Sequence, residues 1–150
     1  LALPPSEDGA GVTPPLPSRI PCISLHQPYA ELVVAGIKTI ETRTWEWPYE
    51  PGWLAIHAAK RINGGAERKL YDLLTDNKIV YRHGCVIGLV YVSACRPLVT
   101  VDELQACVEW APGLFAWCLC AARRFKTPIV MRGPQKIVYL NRNRVEEALA

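Results

Sequence analysis

A chain of 150 residues has room for one domain with a real core and not for two ordinary ones. Half of the residues are hydrophobic and 21% are charged, a globular balance, and the net charge of +3 permits a polyanionic partner without requiring one. No run of about 18 apolar residues is present, which excludes a transmembrane helix, and residues 1–19 lack the apolar core of a signal peptide. The start at Leu1 rather than Met leaves open whether the N-terminus is native.

Residues 1–19 hold five prolines and no periodicity and read as a disordered proline-rich tail, with the folded domain expected over 20–150. Pro21 to Leu25 reads as a short buried strand. Gln27 to Ala35 reads as a helix, with Pro28 in its first turn and Gly36 as its positive-φ stop. Thr39 to Trp45 is rich in β-branched residues and reads as a strand on which Thr39, Glu41, Arg43 and Trp45 share a face. A loop over 47–52 leads to a buried strand, Trp53 to Ala59. A helix is expected from Asn63 or Gly64 to Leu74, with Leu70, Leu73 and Leu74 as its apolar stripe. Gly84 to Cys95 reads as the central strand. Thr100 and Glu103 form a capping box that starts a short helix. Leu114 to Ala122, Thr127 to Met131 and Ile137 to Leu140 read as strands, and Asn143 caps a last helical turn. Strands and helices do not alternate regularly, which predicts an α+β fold with a mixed sheet or barrel.

The six cysteines form no CxxC pair and most lie in apolar runs, so they read as buried thiols of a cytoplasmic protein. A zinc site from Cys118, Cys120 and a histidine is the alternative; no metal or cofactor is the expectation. No phosphate-binding glycine loop, HExxH or GxSxG is present.

The segment Gly36-Ile37-Lys38-Thr39-Ile40-Glu41-Thr42-Arg43 carries the most chemistry. It places a lysine, a glutamate and an arginine within six residues, between apolar flanks and straight after a helix end. Such a set lines a pocket wall suited to an anionic or polar planar ligand, or to acid/base chemistry. Lys38 reads either as a solvated turn lysine or as a cation at a cleft mouth. Glu41 and Arg43 read either as a structural ion pair or as ligand contacts, the carboxylate for a base amino group and the guanidinium for phosphate or stacking.

Together with Ser24-Leu25-His26-Gln27-Pro28-Tyr29-Ala30, Gly52-Trp53-Leu54-Ala55-Ile56-His57-Ala58, Phe115-Ala116-Trp117 and Arg132-Gly133-Pro134-Gln135-Lys136, this segment resembles the ASCH (activating signal cointegrator homology) domain over roughly residues 20–141. The resemblance implies a PUA-like fold, a small mixed β-barrel with short helices on its rim, and a cleft lined by the GxKTxExR segment. It implies RNA or a nucleotide or nucleoside as partner. In one bacterial branch it implies removal of the acetyl group from N4-acetylcytidine, by a lysine, a threonine three residues later and a separate glutamate. Here Lys38 matches the lysine, but Glu41 stands at the threonine position.

The ligand-binding set expected on this basis is His26, Gln27, Tyr29, Lys38, Glu41, Arg43 and Trp45, with Lys38 and Glu41 catalytic if the domain is an amidohydrolase. His57 reads as a core residue and His83 as a loop residue. Lys60, Arg61, Arg123, Arg124, Lys126, Arg132 and Lys136 form either a solvated strand edge or a phosphate-contacting rim. RNA or modified-nucleotide recognition is the leading expectation. The alternatives are an N4-acetylcytidine amidohydrolase, a ribonuclease, and a protein-interaction module that uses the proline-rich tail.

Overall fold

The computed structural model describes residues 14–150. In chain order these form β1 (Arg19–Gln27), α1 (Tyr29–Val34), β2 (Ile40–Arg43), β3 (Gly52–Ile62), α2 (Gly64–Lys69), α3 (Tyr71–Asp76) and β4 (Cys85–Pro97). A 3-10 turn (Thr100–Asp102) then runs into α4 (Glu103–Ala106), followed by β5 (Phe115–Val130), β6 (Val138–Asn141) and α5 (Arg142–Leu149). The strands make one six-stranded sheet in the order β2-β5-β4-β3-β1-β6. The β1/β3 pair is parallel and the other neighbours are antiparallel.

The mixed α+β class agrees with expectation, but the barrel does not form. Closure requires the two edge strands to pair, and β2 and β6 are each four residues long and remain unpaired with one another. The sheet nevertheless curls. Arg43 on β2 reaches the carbonyl of Ser24 on β1 at 3.2 Å, although β5, β4 and β3 lie between them in the sheet order.

β-Branched and aliphatic residues of β4 are buried on both faces. Ile87, Val90 and Val92 join Ile23, Leu25, Leu54 and Ile56 under α1, whose Ala30, Val33 and Val34 cover that face. Val86, Leu89 and Tyr91 join Ile20, Cys22, Trp53 and Phe125 on the opposite face, covered by Val145 and Ala148 of α5. A third, smaller cluster of Ile40, Leu98, Ala106 and Ala116 seats α4 against β2 and β5.

Several boundaries differ from the sequence expectation for identifiable reasons. The helix expected over 63–74 is two helices that meet at Leu70, the first capped by Asn63, whose side-chain oxygen accepts the Ala66 amide at 3.0 Å. The two strands expected over 114–131 are one strand of 16 residues that absorbs its irregularities as bulges, with Ala121 at φ 52°. The Thr100–Glu103 box gives way to Asp102, whose carboxylate accepts the Val99 amide at 2.9 Å and both terminal nitrogens of Arg96 at 2.7 and 2.9 Å. That pairing holds the Asp102 carboxyl down at about 2. The last helix starts at Arg142 behind Asn141, not at Asn143.

Residues 1–13, most of the segment read as a disordered tail, lie outside the described residues. Arg19 already belongs to β1, and Pro14 is hydrogen-bonded to Trp53. None of the six cysteines is in a disulfide, and Cys22 and Cys85 are buried. Among the described residues no helix is long and apolar enough to cross a membrane.

Gly88 marks where α1, β4 and β5 are closest. A Cβ at this position would lie 2.4 Å from the Arg123 carbonyl oxygen and 2.8 Å from Val34 Cγ1. Because the first obstacle is backbone, relief requires separating β4 from β5. Gly88→Ala is therefore expected to cost about 1–3 kcal/mol, read as a lower midpoint in urea denaturation. An unchanged midpoint would show that the strands part freely at this point.

Candidate functional site

The turn after α1 aims Lys38 inward. Gly36 adopts φ +75°, and the amides of Ile37 and Lys38 both donate to the Leu32 carbonyl at 3.0 Å. The Lys38 side chain is consequently 1% exposed. Its ammonium donates to the Ile40 carbonyl at 2.8 Å and to the Ala106 carbonyl, and lies 3.7 Å from Glu41 Oε1 and 5.1 Å from the Tyr29 ring centroid. Burial pulls the Lys38 pKa below the ordinary lysine value, and Glu41 opposes that shift.

Glu41 is the hub of this set. Besides Lys38, its carboxylate accepts the Thr42 amide at 2.9 Å and Arg43 Nη2 at 3.3 Å. The same Arg43 nitrogen donates to the Ser24 carbonyl. Arg43 Nε is buried without a hydrogen-bond partner. Charged groups removed from water persist only when paired and hydrogen-bonded, so Lys38, Glu41 and Arg43 are mutually dependent.

A second constellation uses the other side of Ser24. Ser24 and His57 are register partners in the parallel β1/β3 pair, and Ser24 Oγ lies 2.9 Å from His57 Nδ1. His57 Nε2 lies 2.8 Å from the Met131 carbonyl oxygen. A carbonyl only accepts, so Nε2 carries the proton and Nδ1 accepts the serine hydroxyl proton. Burial lowers the His57 pKa and favours this neutral form. Gly133 packs over the pair, since a Cβ at that position would lie 2.8 Å from His57 Cε1 and 2.9 Å from Ser24 Oγ. Ser24 and His57 line a cleft of about 680 Å³ whose walls also carry Lys60, Arg61, His83 and Arg132, with no acidic side chain.

The structure therefore brings together Lys38, Glu41, Arg43 and Tyr29, and separately Lys60, Arg61 and Arg132. Lys38 is almost wholly buried, at the edge of a smaller cavity of about 220 Å³ that Gly36, Thr39 and Leu119 also line. Gln27 is fully buried: its side chain accepts the Glu31 amide at 3.0 Å and donates to the Arg82 carbonyl at 2.8 Å. His26 is exposed at the end of β1. Trp45 is half-buried and meets Trp117 edge-on at 4.9 Å. Arg124 is bound to the buried Glu31 carboxylate at 2.6 Å, and the Arg123 guanidinium lies 5.4 Å from the Trp53 ring centroid. Lys126 and Lys136 are exposed and do not line the cleft. Among the described residues no three His, Cys, Asp or Glu side chains converge on a metal position.

Sequence reasoning passed over Ser24 and Glu31 and read His57 and His83 as core and loop. Period-two alternation puts Ser24 and Cys22 on one face of β1, but only the β1/β3 pairing reveals that His57 stands beside it.

The His57 geometry has a pH consequence. A lowered folded-state pKa means that the unfolded chain binds the proton more readily below the ordinary value of 6.5. The contribution of His57 to stability is complete above 6.5 and is lost as pH falls through the window beneath it. Wild type is expected to lose more unfolding free energy between pH 7.5 and pH 5 than His57→Gln, measured by denaturant titration at each pH. Parallel losses would show that His57 is not held neutral.

Comparison with known proteins agrees with this architecture. The ASCH domain family model matches residues 23–129. Activating signal cointegrator 1 of Homo sapiens is 35% identical over 81 residues, which is 49% of this chain and 14% of that protein. The Mus musculus protein of the same name is 35% identical over 82 residues, with the same shares. The chain thus spans a small part of these relatives. A crystal structure of the ASCH protein from Zymomonas mobilis is similar, with a TM-score of 0.55 and 17% identity over 85% of this chain and 91% of that one. A single-residue variant of it also gives 0.55, at 16% identity over 85% and 92%; at such identity the likeness concerns the fold. With the family model covering most of its length, the chain belongs to the ASCH domain family.

Proposed function

We propose that this domain recognises RNA, or a nucleotide or modified nucleoside derived from it, with the GxKTxExR segment as the frame of the site and the neighbouring basic cleft as its contact surface. The observation that carries this reading is the convergence of Lys60, Arg61 and Arg132 on one cleft without an acid among them. Three unneutralised cations in a concave surface concentrate a field that attracts phosphate. Ser24 and His83 add groups able to hydrogen-bond a sugar or base edge. Arg43 joins frame to cleft: its guanidinium holds the carbonyl of Ser24, a residue that lines the cleft.

A second reading, an amidohydrolase acting on N4-acetylcytidine, is favoured by one observation: a buried lysine of lowered pKa stands 3.7 Å from a carboxylate. In that reading Lys38 activates the amide and Glu41 serves as base toward water. The nearly complete burial of Lys38 and its engagement by two carbonyls weigh toward the frame role.

Fluorescence anisotropy with a labelled single-stranded RNA, over a series of salt concentrations, separates these readings. Replacing Lys60, Arg61 and Arg132 together by alanine is expected to weaken binding. It should also flatten the slope of log affinity against log salt by about 2, at about 0.7 per lost phosphate contact. An unchanged slope would remove the cleft from the interface. Release of cytidine from N4-acetylcytidine by wild type but not by Lys38→Met would establish the amidohydrolase in its place, and shortened RNA would indicate a ribonuclease.

A further inference from the structure

Ahead of β1, the run Pro14-Pro15-Leu16-Pro17 is seated on an aromatic wall. Trp53 Nε1 donates to the Pro14 carbonyl at 3.0 Å. Leu16 packs into the cluster that holds Trp53 and Tyr91, and its carbonyl accepts Arg142 Nη1 at 3.4 Å. Pro17 borders a cavity of about 210 Å³ whose remaining walls include Trp47, Tyr49, Trp53 and Tyr139.

The rings of that cavity brace one another. Trp47 and Tyr49 meet at 5.1 Å between centroids, Tyr49 and Tyr139 at 6.3 Å with their hydroxyls hydrogen-bonded, and the Arg19 guanidinium lies 4.5 Å from the Tyr139 ring centroid. Tyr49 and Tyr139 are nonetheless 39% and 42% exposed. Trp47 and Trp53 are buried behind them, with Trp47 Nε1 donating to the Glu50 carbonyl at 3.0 Å, so the open part of the wall is the rigidly held tyrosine pair, which suits a preformed ligand. Its lining contains one base, Arg19, and one acid, Glu50, so it lacks the cationic field of the cleft around Lys60 and does not select a polyanion.

The seated segment indicates the matching chemistry. Proline residues carry no N–H, so a proline-rich strand offers carbonyl acceptors and ring faces, and in the polyproline II form it is extended before it binds. The Trp53 N–H donated to the Pro14 carbonyl, beside rings that meet edge-on, matches the aromatic-lined grooves that read such strands. We propose that the wall formed by Trp47, Tyr49, Trp53 and Tyr139 is a receptor for the polyproline II segment of a partner protein. Residues 14–17 occupy its Trp53 end, and the Tyr49–Tyr139 end is open to a Pro-x-x-Pro turn supplied by the partner. The site is independent of the RNA reading, because it uses none of the cleft residues.

Isothermal titration of the full chain with a synthetic peptide containing two Pro-Pro-Leu-Pro repeats tests this directly, with tryptophan fluorescence followed in parallel. Saturable binding is expected, lost by a control peptide with alanine at each proline. Binding should weaken about tenfold or more in Tyr139→Ala, an anchor truncation at a partly exposed site. Tyr49→Ala serves as the second variant should Tyr139→Ala unfold. Absence of saturable binding, binding by both variants as tight as that of wild type, or displacement of the peptide by a single-stranded RNA would each overturn the proposal, the last by making the wall a base-stacking platform.

Discussion

A lysine ammonium with almost no contact with water must be surrounded by acceptors, and most of the local architecture of this domain follows from meeting that requirement at Lys38. The turn after α1 supplies the direction, Ile40 and Ala106 supply carbonyls from β2 and α4, and Glu41 supplies the countercharge. Each element is short: β2 and α4 have four residues apiece, too few to be stable alone. Their placement rests on the small cluster of Ile40, Leu98, Ala106 and Ala116 together with this ionic knot. Arg43 carries the same constraint across the curl of the sheet to Ser24.

Ser24 is thus held from two sides. Its carbonyl belongs to the ionic network and its hydroxyl to His57, which is oriented in turn by the Met131 carbonyl. The cationic cleft is built on this shared strand, so its shape depends on the buried network behind it.

Elements whose pattern is local were legible in the sequence: β1, α1 with its Gly36 stop, β3 and β4, each marked by an apolar run or a terminating glycine. The family, too, was legible from the GxKTxExR segment and its companions. What was not legible depends on pairing between distant segments. The two strands expected around Arg123 and Arg124 merge because β4 runs antiparallel to the whole of β5, and a bulge, not a break, absorbs Ala121. Closure into a barrel was inferred by resemblance and fails at the short edge strands. Lys38 reads locally as a turn lysine, and only the approach of α4, 68 residues later, makes it a core residue. Arg124 looks like part of a basic rim, yet the buried Glu31 takes it up. For Lys38 and Arg124 the deciding partner lies far along the chain.

In the proposed function Lys38 serves the frame and the cleft serves the ligand. The RNA affinity of folded Lys38→Met tests it most directly, set beside the unfolding free energy of the same protein. Removing one member of a buried ion pair is expected to cost about 3 kcal/mol of stability, while the affinity of the folded fraction stays close to that of wild type. Loss of RNA binding at unchanged stability would contradict the account and place Lys38 in contact with the ligand.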